Sequence, residues 1–361
     1  LDIPRIDYTN GEPSILLEPS RTNLVTYSQD LSQWTLVNGT LTSNATVSPE
    51  GIQNAGKIVF SSVGLDLKRT ITVVAGTTYT ISFYIKVEEG TGLQGRFYDN
   101  SNSANIEYYD YSSQISGTEW SRVTRSVTAP SGCTQMQIWL LASSSTLVTA
   151  SFWGAQFEQQ SYATSYIPTA GTTITRAAET CNNSKPSVNS TEGVLYCEIA
   201  ALADDLTFRT ISVSDGTTSN RSVLRYGGTS NFINVLASSG GSNVFDNNFT
   251  LSEITDFNKI AIKYKVNDYA LWVNGNEVKT DTSGAAPVGL SQVQFSNAVG
   301  NSNMFYGKVK GLAVYNEALS ESQLMQLTGV TASSIYNNFV TRTASFTVEA
   351  LNEVKKVIDN L

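Results

Sequence analysis

The sequence predicts an all-β protein made of two antiparallel β-sandwich (jelly-roll) domains in tandem, followed by a short C-terminal helix. Most of the chain consists of short runs in which apolar and polar residues alternate, as in half-buried strands. Glycine, serine and asparagine separate these runs, and no segment with helical periodicity interrupts them before residue 320. The 361 residues fit two or three domains of ordinary size.

The first sandwich is predicted over residues 26–168, after an extended N-terminal segment of residues 1–25. Its clearest strand covers residues 79–87, where Tyr79, Ile81, Phe83 and Ile85 alternate with polar neighbours. Further alternating runs follow up to residue 158. Residues 169–190 lose the alternation and contain proline and glycine, so we predict a linker there.

The second sandwich is predicted over residues 191–329. Asn267-Asp268 and Asn274-Gly275 each stand between alternating hydrophobic runs, and Asn-Gly in that position is the strongest local hairpin signal. Ser320 is placed to cap a short helix that ends at Gly329.

Residues 330–361 are predicted to form a tail with a short amphipathic helix. Its apolar side chains repeat at spacings of three and four, as in an oligomerisation seam: Leu351, Val354, Ile358 and Leu361. The segment spans barely two heptads, and an isolated helix of that length is only marginally stable in water. The segment therefore either docks on its own domain or begins a homo-oligomeric coiled coil.

The composition excludes several kinds of chemistry. The chain has no histidine, which removes imidazole catalysis and His-ligated metal sites. A net charge of -8 without a basic stripe argues against nucleic acid as a partner. No apolar run is long enough to insert into a membrane. The three cysteines have no metal-ligand spacing, and a Cys181–Cys197 bridge is left open.

Aromatic and polar residues of the first sandwich suggest a sugar-binding face. Such surfaces place flat rings against a sugar and surround them with hydrogen-bonding side chains. Alternation puts five candidates on the side of their strands opposite the core: Tyr84, Arg96, Tyr98, Gln137 and Trp139. If their strands are neighbours, these side chains share one exposed sheet. The alternative for each ring is packing under a loop or against another subunit.

Tyr108 and Tyr109 belong to a second candidate, a segment rich in tyrosine and carboxylate at residues 105–111. Tyrosine favours interfaces because it offers a large contact area at a small entropic cost. In a loop these rings could contact a receptor. In a strand, Tyr109 would alternate into the core.

Segments of both halves resemble known families. Residues 4–8 (Pro-Arg-Ile-Asp-Tyr), 16–24 (Leu-Leu-Glu-Pro-Ser-Arg-Thr-Asn-Leu), 152–158 (Phe-Trp-Gly-Ala-Gln-Phe-Glu) and 163–169 (Ala-Thr-Ser-Tyr-Ile-Pro-Thr) resemble phage tail-fibre and spike proteins with a carbohydrate-binding-module-like β-sandwich. Residues 270–278 (Ala-Leu-Trp-Val-Asn-Gly-Asn-Glu-Val) and 307–320 (Gly-Lys-Val-Lys-Gly-Leu-Ala-Val-Tyr-Asn-Glu-Ala-Leu-Ser) resemble laminin-G-like or concanavalin-A-like jelly rolls.

The resemblance implies a non-catalytic, homotrimeric attachment protein on a virion surface. Its partners would be host-surface glycans and other virion proteins, and a bacterial extracellular surface is the alternative location. No cofactor is required, although laminin-G-like folds often bind calcium. Hard oxygen ligands for calcium are available at turns: Asp215, Asp246, Asn267 and Asp268. Turn geometry alone also explains them.

Two rival functions remain open. A purely structural fibre or decoration protein would use both sandwiches for assembly alone. A polysaccharide depolymerase would need a pair of carboxylates across a cleft, and no motif of the sequence fixes such a pair. Jelly-roll lyases also rely on a histidine that this chain lacks.

Overall fold

The computed structural model describes residues 5–9, 11–60, 65–91, 93–142, 148–181, 184–299 and 302–329. The predicted seam of Leu351, Val354, Ile358 and Leu361 lies outside these residues. Two compact units are present: Glu18–Glu179, here called the first sandwich, and Leu1–Leu17 together with Thr180–Leu361, here called the second sandwich. Within the described ranges, no helix is long and apolar enough to cross a membrane.

Strands dominate both units. The chain opens with β1 (Arg5–Asp7) and β2 (Ser14–Leu17). The first sandwich contains β3 (Arg21–Asn23), β4 (Thr35–Val37), β5 (Gly39–Val47), β6 (Gln53–Phe60), β7 (Leu65–Thr72), β8 (Thr78–Glu89), β9 (Leu93–Asp99), β10 (Ala104–Asp110), β11 (Ser121–Thr128), β12 (Gln135–Ala142), β13 (Val148–Gln159) and β14 (Ile174–Arg176). The second sandwich continues with β15 (Glu192–Ala201), β16 (Arg209–Ser214), β17 (Arg221–Tyr226), β18 (Phe232–Ser239), β19 (Ser242–Thr250), β20 (Asn258–Lys265), β21 (Tyr269–Val273), β22 (Asn276–Asp281), β23 (Gln292–Gln294), β24 (Gly307–Tyr315) and helix α1 (Glu321–Thr328).

The first sandwich consists of two five-stranded antiparallel sheets, ordered β10-β9-β12-β7-β4 and β11-β8-β13-β6-β5. Their inner faces form one core, which includes Phe83, Phe97, Ile138 and Phe152. Strand β8 contains the alternating run predicted at residues 79–87, because its odd-numbered apolar residues pack into this core.

The second sandwich pairs a seven-stranded sheet, β1-β2-β24-β15-β20-β21-β22, with a five-stranded sheet, β19-β18-β17-β16-β23. Both predicted asparagine turns are present, with Asn267 and Asn274 at positive φ. Helix α1 begins after Ser320, which forms a capping box with Gln323. Its Leu324 is buried on the outer side of the seven-stranded sheet. The prediction of an all-β protein with two jelly-roll sandwiches is confirmed.

The structure differs from the predicted boundaries at the N-terminus and in the linker. Residues 1–25 are not simply extended, since β2 pairs with β24 and buries Leu17 in the second core. Strand β3 pairs with β14, which lies within the predicted linker of residues 169–190. Three-residue strands are too short to show alternation, so the sequence pattern did not reveal them.

The motif residues of the first sandwich are joined by internal hydrogen bonds around Asn23. The Asn23 Nδ2 donates to the carbonyl oxygens of Ala155 at 3.1 Å and Ile167 at 2.9 Å. Its Oδ1 accepts from the backbone N–H of Val25 at 3.0 Å and of Phe157 at 3.1 Å. This one buried amide therefore ties together the segments 16–24, 152–158 and 163–169.

Two buried carboxylates complete this junction. Glu18 forms an ion pair with Arg176 at 2.9 Å and accepts from the backbone N–H of Ser165 at 2.9 Å. Glu158 accepts from the hydroxyl of Thr164 at 2.9 Å. Burial raises the pKa of Glu158, although the Thr164 hydrogen bonds oppose the shift. The motif side chains thus hold the fold together rather than face solvent.

Candidate functional site

Rings and cations alternate across the outer face of the sheet that contains β7, β9, β10 and β12. Strand pairing places Tyr108 opposite Arg96, Arg96 opposite Trp139, and Trp139 opposite Lys68. We call these four residues the ring–cation row. Their side chains point away from the core because the neighbouring positions on each strand, such as Phe97 and Ile138, point into it.

The distances within the ring–cation row are those of cation–π contacts. The Arg96 Cζ lies 4.9 Å from the Tyr108 ring centroid and 4.4 Å from that of Trp139. The Lys68 Nζ lies 4.4 Å from the Trp139 centroid. Tyr98, beside the row, has its ring centroid 4.6 Å from the Arg96 Cζ. Tyr108 is 54% exposed and presents the most accessible ring.

Polar side chains border this row and fix its orientation. The Arg96 Nε donates to the Asn105 Oδ1 at 2.8 Å. The Trp139 Nε1 donates to the Gln137 Oε1 at 2.9 Å, and the Gln137 Nε2 donates to the Asn100 Oδ1 at 2.9 Å. The surface can therefore offer flat apolar rings together with amide and guanidinium groups for hydrogen bonding.

Five predicted residues are thus brought together, namely Arg96, Tyr98, Tyr108, Gln137 and Trp139. The sequence analysis missed Lys68, and it noted Asn105 only as the first residue of the tyrosine-rich segment 105–111. Lys68 lies on β7 directly opposite Trp139, so an alternating pattern extended backwards from residue 70 could have found it. No local signal in the sequence shows that Asn105 lies beside the ring–cation row, because it reaches this position only through the pairing of β10 with β9, opposite Tyr98.

Tyr84 does not belong to this surface, which corrects the prediction. Strand β8 pairs with β11 and β13 and lies in the opposite sheet of the first sandwich. There the Tyr84 ring centroid is 5.5 Å from that of Trp153, and the Arg122 Cζ is 5.6 Å from the Tyr84 centroid. Alternation correctly placed Tyr84 on the side opposite the core, but it could not tell which sheet β8 joins.

Tyr109 is a core residue, so its assignment as a sugar contact is also corrected. It is 5% exposed, and its ring stacks on Phe97 with centroids 5.0 Å apart. The ring covers Gly95, where a Cβ would come within 1.9 Å of the Tyr109 Cζ. Burial raises the pKa of the Tyr109 hydroxyl well above its usual value. Of the two tyrosines left open by the sequence, only Tyr108 faces solvent.

The candidate calcium ligands Asp215 and Asp246 accept hydrogen bonds from neighbouring residues. Asp215 accepts from the Thr217 backbone N–H at 2.7 Å and from the Asn220 Nδ2 at 3.0 Å. Burial opposes ionisation of Asp215, but these hydrogen bonds outweigh it and lower its pKa. Asp246 lies on β19 and accepts from the Asn234 Nδ2 at 2.9 Å.

Asn267 and Asp268 lie in the β20–β21 turn. The Asn267 Oδ1 accepts from the Gly284 backbone N–H at 3.1 Å, and Asp268 pairs with Lys263 at 2.5 Å. Among the described residues, no three acidic or cysteine side chains gather in a group that could hold a metal ion. Calcium binding by these residues stays a prediction.

All three cysteines are free thiols, so Cys181 and Cys197 form no bridge. Cys133 and Cys197 are buried, whereas Cys181 is exposed. The buried pair behave as small apolar residues of the two cores.

Several solved structures are similar to parts of the chain. The CBM40 of the Ruminococcus gnavus IT-sialidase, bound to α2,3-sialyllactose, is 16% identical with a TM-score of 0.34, over 42% of this chain and 97% of that one. The enzymatically active domain of bacteriophage CBA120 tailspike protein 4 is 18% identical with a TM-score of 0.30, over 38% of this chain and 21% of that one. Domains LG4-5 of the mouse laminin α1 chain are 9% identical with a TM-score of 0.28, over 88% and 96%.

No curated protein sequence matches the chain. A laminin G family model, described as the concanavalin A-like lectin/glucanases superfamily, matches residues 199–325. These residues contain β16–β24 entirely and end within α1. Over this part of the second sandwich the chain is therefore similar to the concanavalin A-like lectin/glucanases superfamily.

Proposed function

We propose that this chain is a non-catalytic attachment protein of a phage tail fibre or spike, and that it binds host-surface glycans through the ring–cation row. The observation that carries the glycan-binding proposal is the exposed Tyr108 ring beside the Arg96 guanidinium on an open sheet face. The lectin family model that matches residues 199–325 supports a carbohydrate-binding role as well. The virion role rests on the sequence resemblance.

A sugar would lie along the row with its apolar face against the aromatic rings. The row crosses four strands, or three inter-strand spacings, which is about 14 Å. Arg96 would donate hydrogen bonds to hydroxyl groups, and the amides of Asn105 and Gln137 border the same strip. Binding at one such shallow surface is modest, and the homotrimer that we propose would strengthen it through multivalency.

Alanine substitutions at Tyr108 and Trp139 test this proposal. We expect each variant to bind glycan-array ligands of the natural protein roughly five- to twelvefold more weakly, because an aromatic contact of this kind contributes roughly 1–1.5 kcal/mol. Tyr8→Ala is the matched control, since Tyr8 is also an exposed tyrosine but lies in the second sandwich. Melting temperatures must be compared for all three variants.

Three results would overturn the proposal. Unchanged glycan binding by folded Tyr108→Ala and Trp139→Ala proteins would remove the row as the binding surface. A chain that binds no glycan on the array would instead favour the structural fibre protein. Release of reducing ends or unsaturated sugars from a polysaccharide would refute the non-catalytic assignment and identify a depolymerase.

A further inference from the structure

The outer face of the five-stranded sheet in the second sandwich carries a second polar row. Strand pairing places Thr210 on β16 opposite Arg225 on β17, and Arg225 opposite Asn234 on β18. The intervening positions, such as Leu224 and Val235, point into the second core, so these three side chains point outward. We call Thr210, Arg225 and Asn234 the arginine row.

Two guanidinium groups on this face have no acidic partner among the described residues. Arg221 lies on the same strand as Arg225, four positions earlier, and therefore points to the same side. Its Nη1 donates to the neutral Asn297 Oδ1 at 2.6 Å. The Arg225 Cζ lies 5.2 Å from the ring centroid of Phe208. Burial and the nearby Arg225 charge lower the pKa of Arg221, as expected for two cations that lack a counter-ion.

Within the described part of the chain, every member of the arginine row also has a buried polar atom without a hydrogen-bond partner. These atoms are the Thr210 Oγ1, the Arg225 Nε and the Asn234 Oδ1. Thr210 is fully buried, and Asn234 is 5% exposed. Most buried polar atoms in folded proteins are hydrogen-bonded, because burying one without a partner is unfavourable. Three such atoms side by side indicate a surface that is incomplete without a ligand.

We infer that the arginine row binds a carboxylate-bearing sugar of an acidic glycan. A carboxylate matches the planar guanidinium fork of Arg225, and the Thr210 hydroxyl can donate to it too. The Asn234 Oδ1 accepts, so it suits a sugar hydroxyl beside the carboxylate. Phe208 is 42% exposed next to Arg225 and offers a ring for the apolar face of the sugar.

The free protein keeps the innermost polar atoms covered. Binding to the Thr210 Oγ1 and the Asn234 Oδ1 therefore requires the side chains that cover them to move aside. The backbone next to Phe208 supports its position, because a Cβ at Gly227 would come within 2.8 Å of the Phe208 Cα. This site lies in the second sandwich and does not depend on the ring–cation row, so either can fail alone.

The test uses trigalacturonic acid as the probe, titrated into the full chain and followed by calorimetry and NMR. We expect saturable binding that is lost with the methyl ester of the same trisaccharide, because the ester carries no charge. Arg225→Gln should weaken binding at least tenfold, and Arg225→Lys should also weaken it because the planar fork is lost. Lys279→Gln, which removes an exposed cation from β22, is the matched control and should bind normally.

Three outcomes would overturn the inference. The first is no saturable binding of trigalacturonic acid, and the second is equal weakening by Arg225→Gln and Lys279→Gln, which would mean general charge attraction. The third is equally tight binding of a polyglutamate peptide, which would make this a site for acidic peptides. Tyr108→Ala should leave trigalacturonate binding unchanged, and this separates the arginine row from the ring–cation row.

Discussion

Asn23→Ala removes the amide that joins the three motif segments of the first sandwich. The fully buried Asn23 side chain makes four hydrogen bonds, two as donor and two as acceptor. The substitution leaves two backbone carbonyls and two backbone N–H groups without partners in a site that is closed to water. A buried hydrogen bond contributes about 1 kcal/mol net, and an orphaned buried group costs more.

The expected loss in the free energy of unfolding is therefore about 4 kcal/mol for four bonds of about 1 kcal/mol each. A change of this size lowers the melting temperature of a domain of this length by roughly 8–16 °C. Urea unfolding followed by tryptophan fluorescence is a suitable assay, because most of the tryptophans lie in the first sandwich: Trp34, Trp120, Trp139 and Trp153.

Gln33→Ala serves as the control because Gln33 is an exposed amide of the same sandwich. Its loss should change the free energy of unfolding by less than about 0.5 kcal/mol. Asn23→Asp should destabilise the domain at least as much as Asn23→Ala. It replaces the Nδ2 group, which donates to the Ala155 and Ile167 carbonyl oxygens, with an oxygen that can only accept. A loss below about 1 kcal/mol for Asn23→Ala would refute the role assigned to this amide.

Two further predictions concern packing and thiol reactivity. Gly95→Ala puts a Cβ where Tyr109 packs, so the first sandwich should lose about 1–3 kcal/mol in urea unfolding; an unchanged midpoint would contradict the close approach of this ring. Iodoacetamide at pH 7 should label Cys181 first, since Cys133 and Cys197 are buried and burial raises the pKa of Cys133 to about 11. Mass spectrometry should then find one label per native chain and three after denaturation, and rapid labelling of Cys133 would disprove its burial.

Local pattern was enough to predict the longer strands and the asparagine turns of this protein. The alternation at residues 79–87 is that of β8, and Asn274-Gly275 connects β21 to β22. The helix after Ser320 followed from its capping residue. These features depend on neighbours within a few residues, which is the range that a sequence pattern reports.

Strand order could not be predicted, and the candidate site depends on it. Arg96 and Trp139 share a surface because β9 pairs with β12, whereas Tyr84 is excluded because β8 pairs with β13. The choice between Tyr108 and Tyr109 depends on a register shift in β10 between Asn105 and Glu107. Such a bulge changes which residues face outward, and no particular amino acid in the sequence marks its position.

The arginine row shows the same limit more strongly. Thr210, Arg225 and Asn234 are far apart in the chain, and none belongs to a recognisable motif. Their significance appears only when three paired strands bring their unpartnered atoms into one line. A sequence reader could have noted that Arg221 and Arg225 share a face of one strand, but not that neither guanidinium has an acidic partner among the described residues.

The position of β1 and β2 makes the first sandwich an inserted domain. The chain begins in the second sandwich, leaves it after Leu17, and returns at Thr180. The insert starts and ends at one place, where the Glu179 backbone N–H donates to the Glu18 carbonyl at 3.0 Å. A domain with adjoining ends can be exchanged for another without cutting the strands of its host.

The insertion also orders the assembly of the chain during synthesis. Glu12 and Lys310 form an ion pair although they are 298 positions apart in the sequence. The edge strands of the second sandwich therefore cannot pair until the residues near Lys310 have been synthesised. The first sandwich has all of its strands much earlier and can fold while its host is still incomplete. If another domain replaced the first sandwich, it would therefore fold, or fail to fold, before the second sandwich is complete.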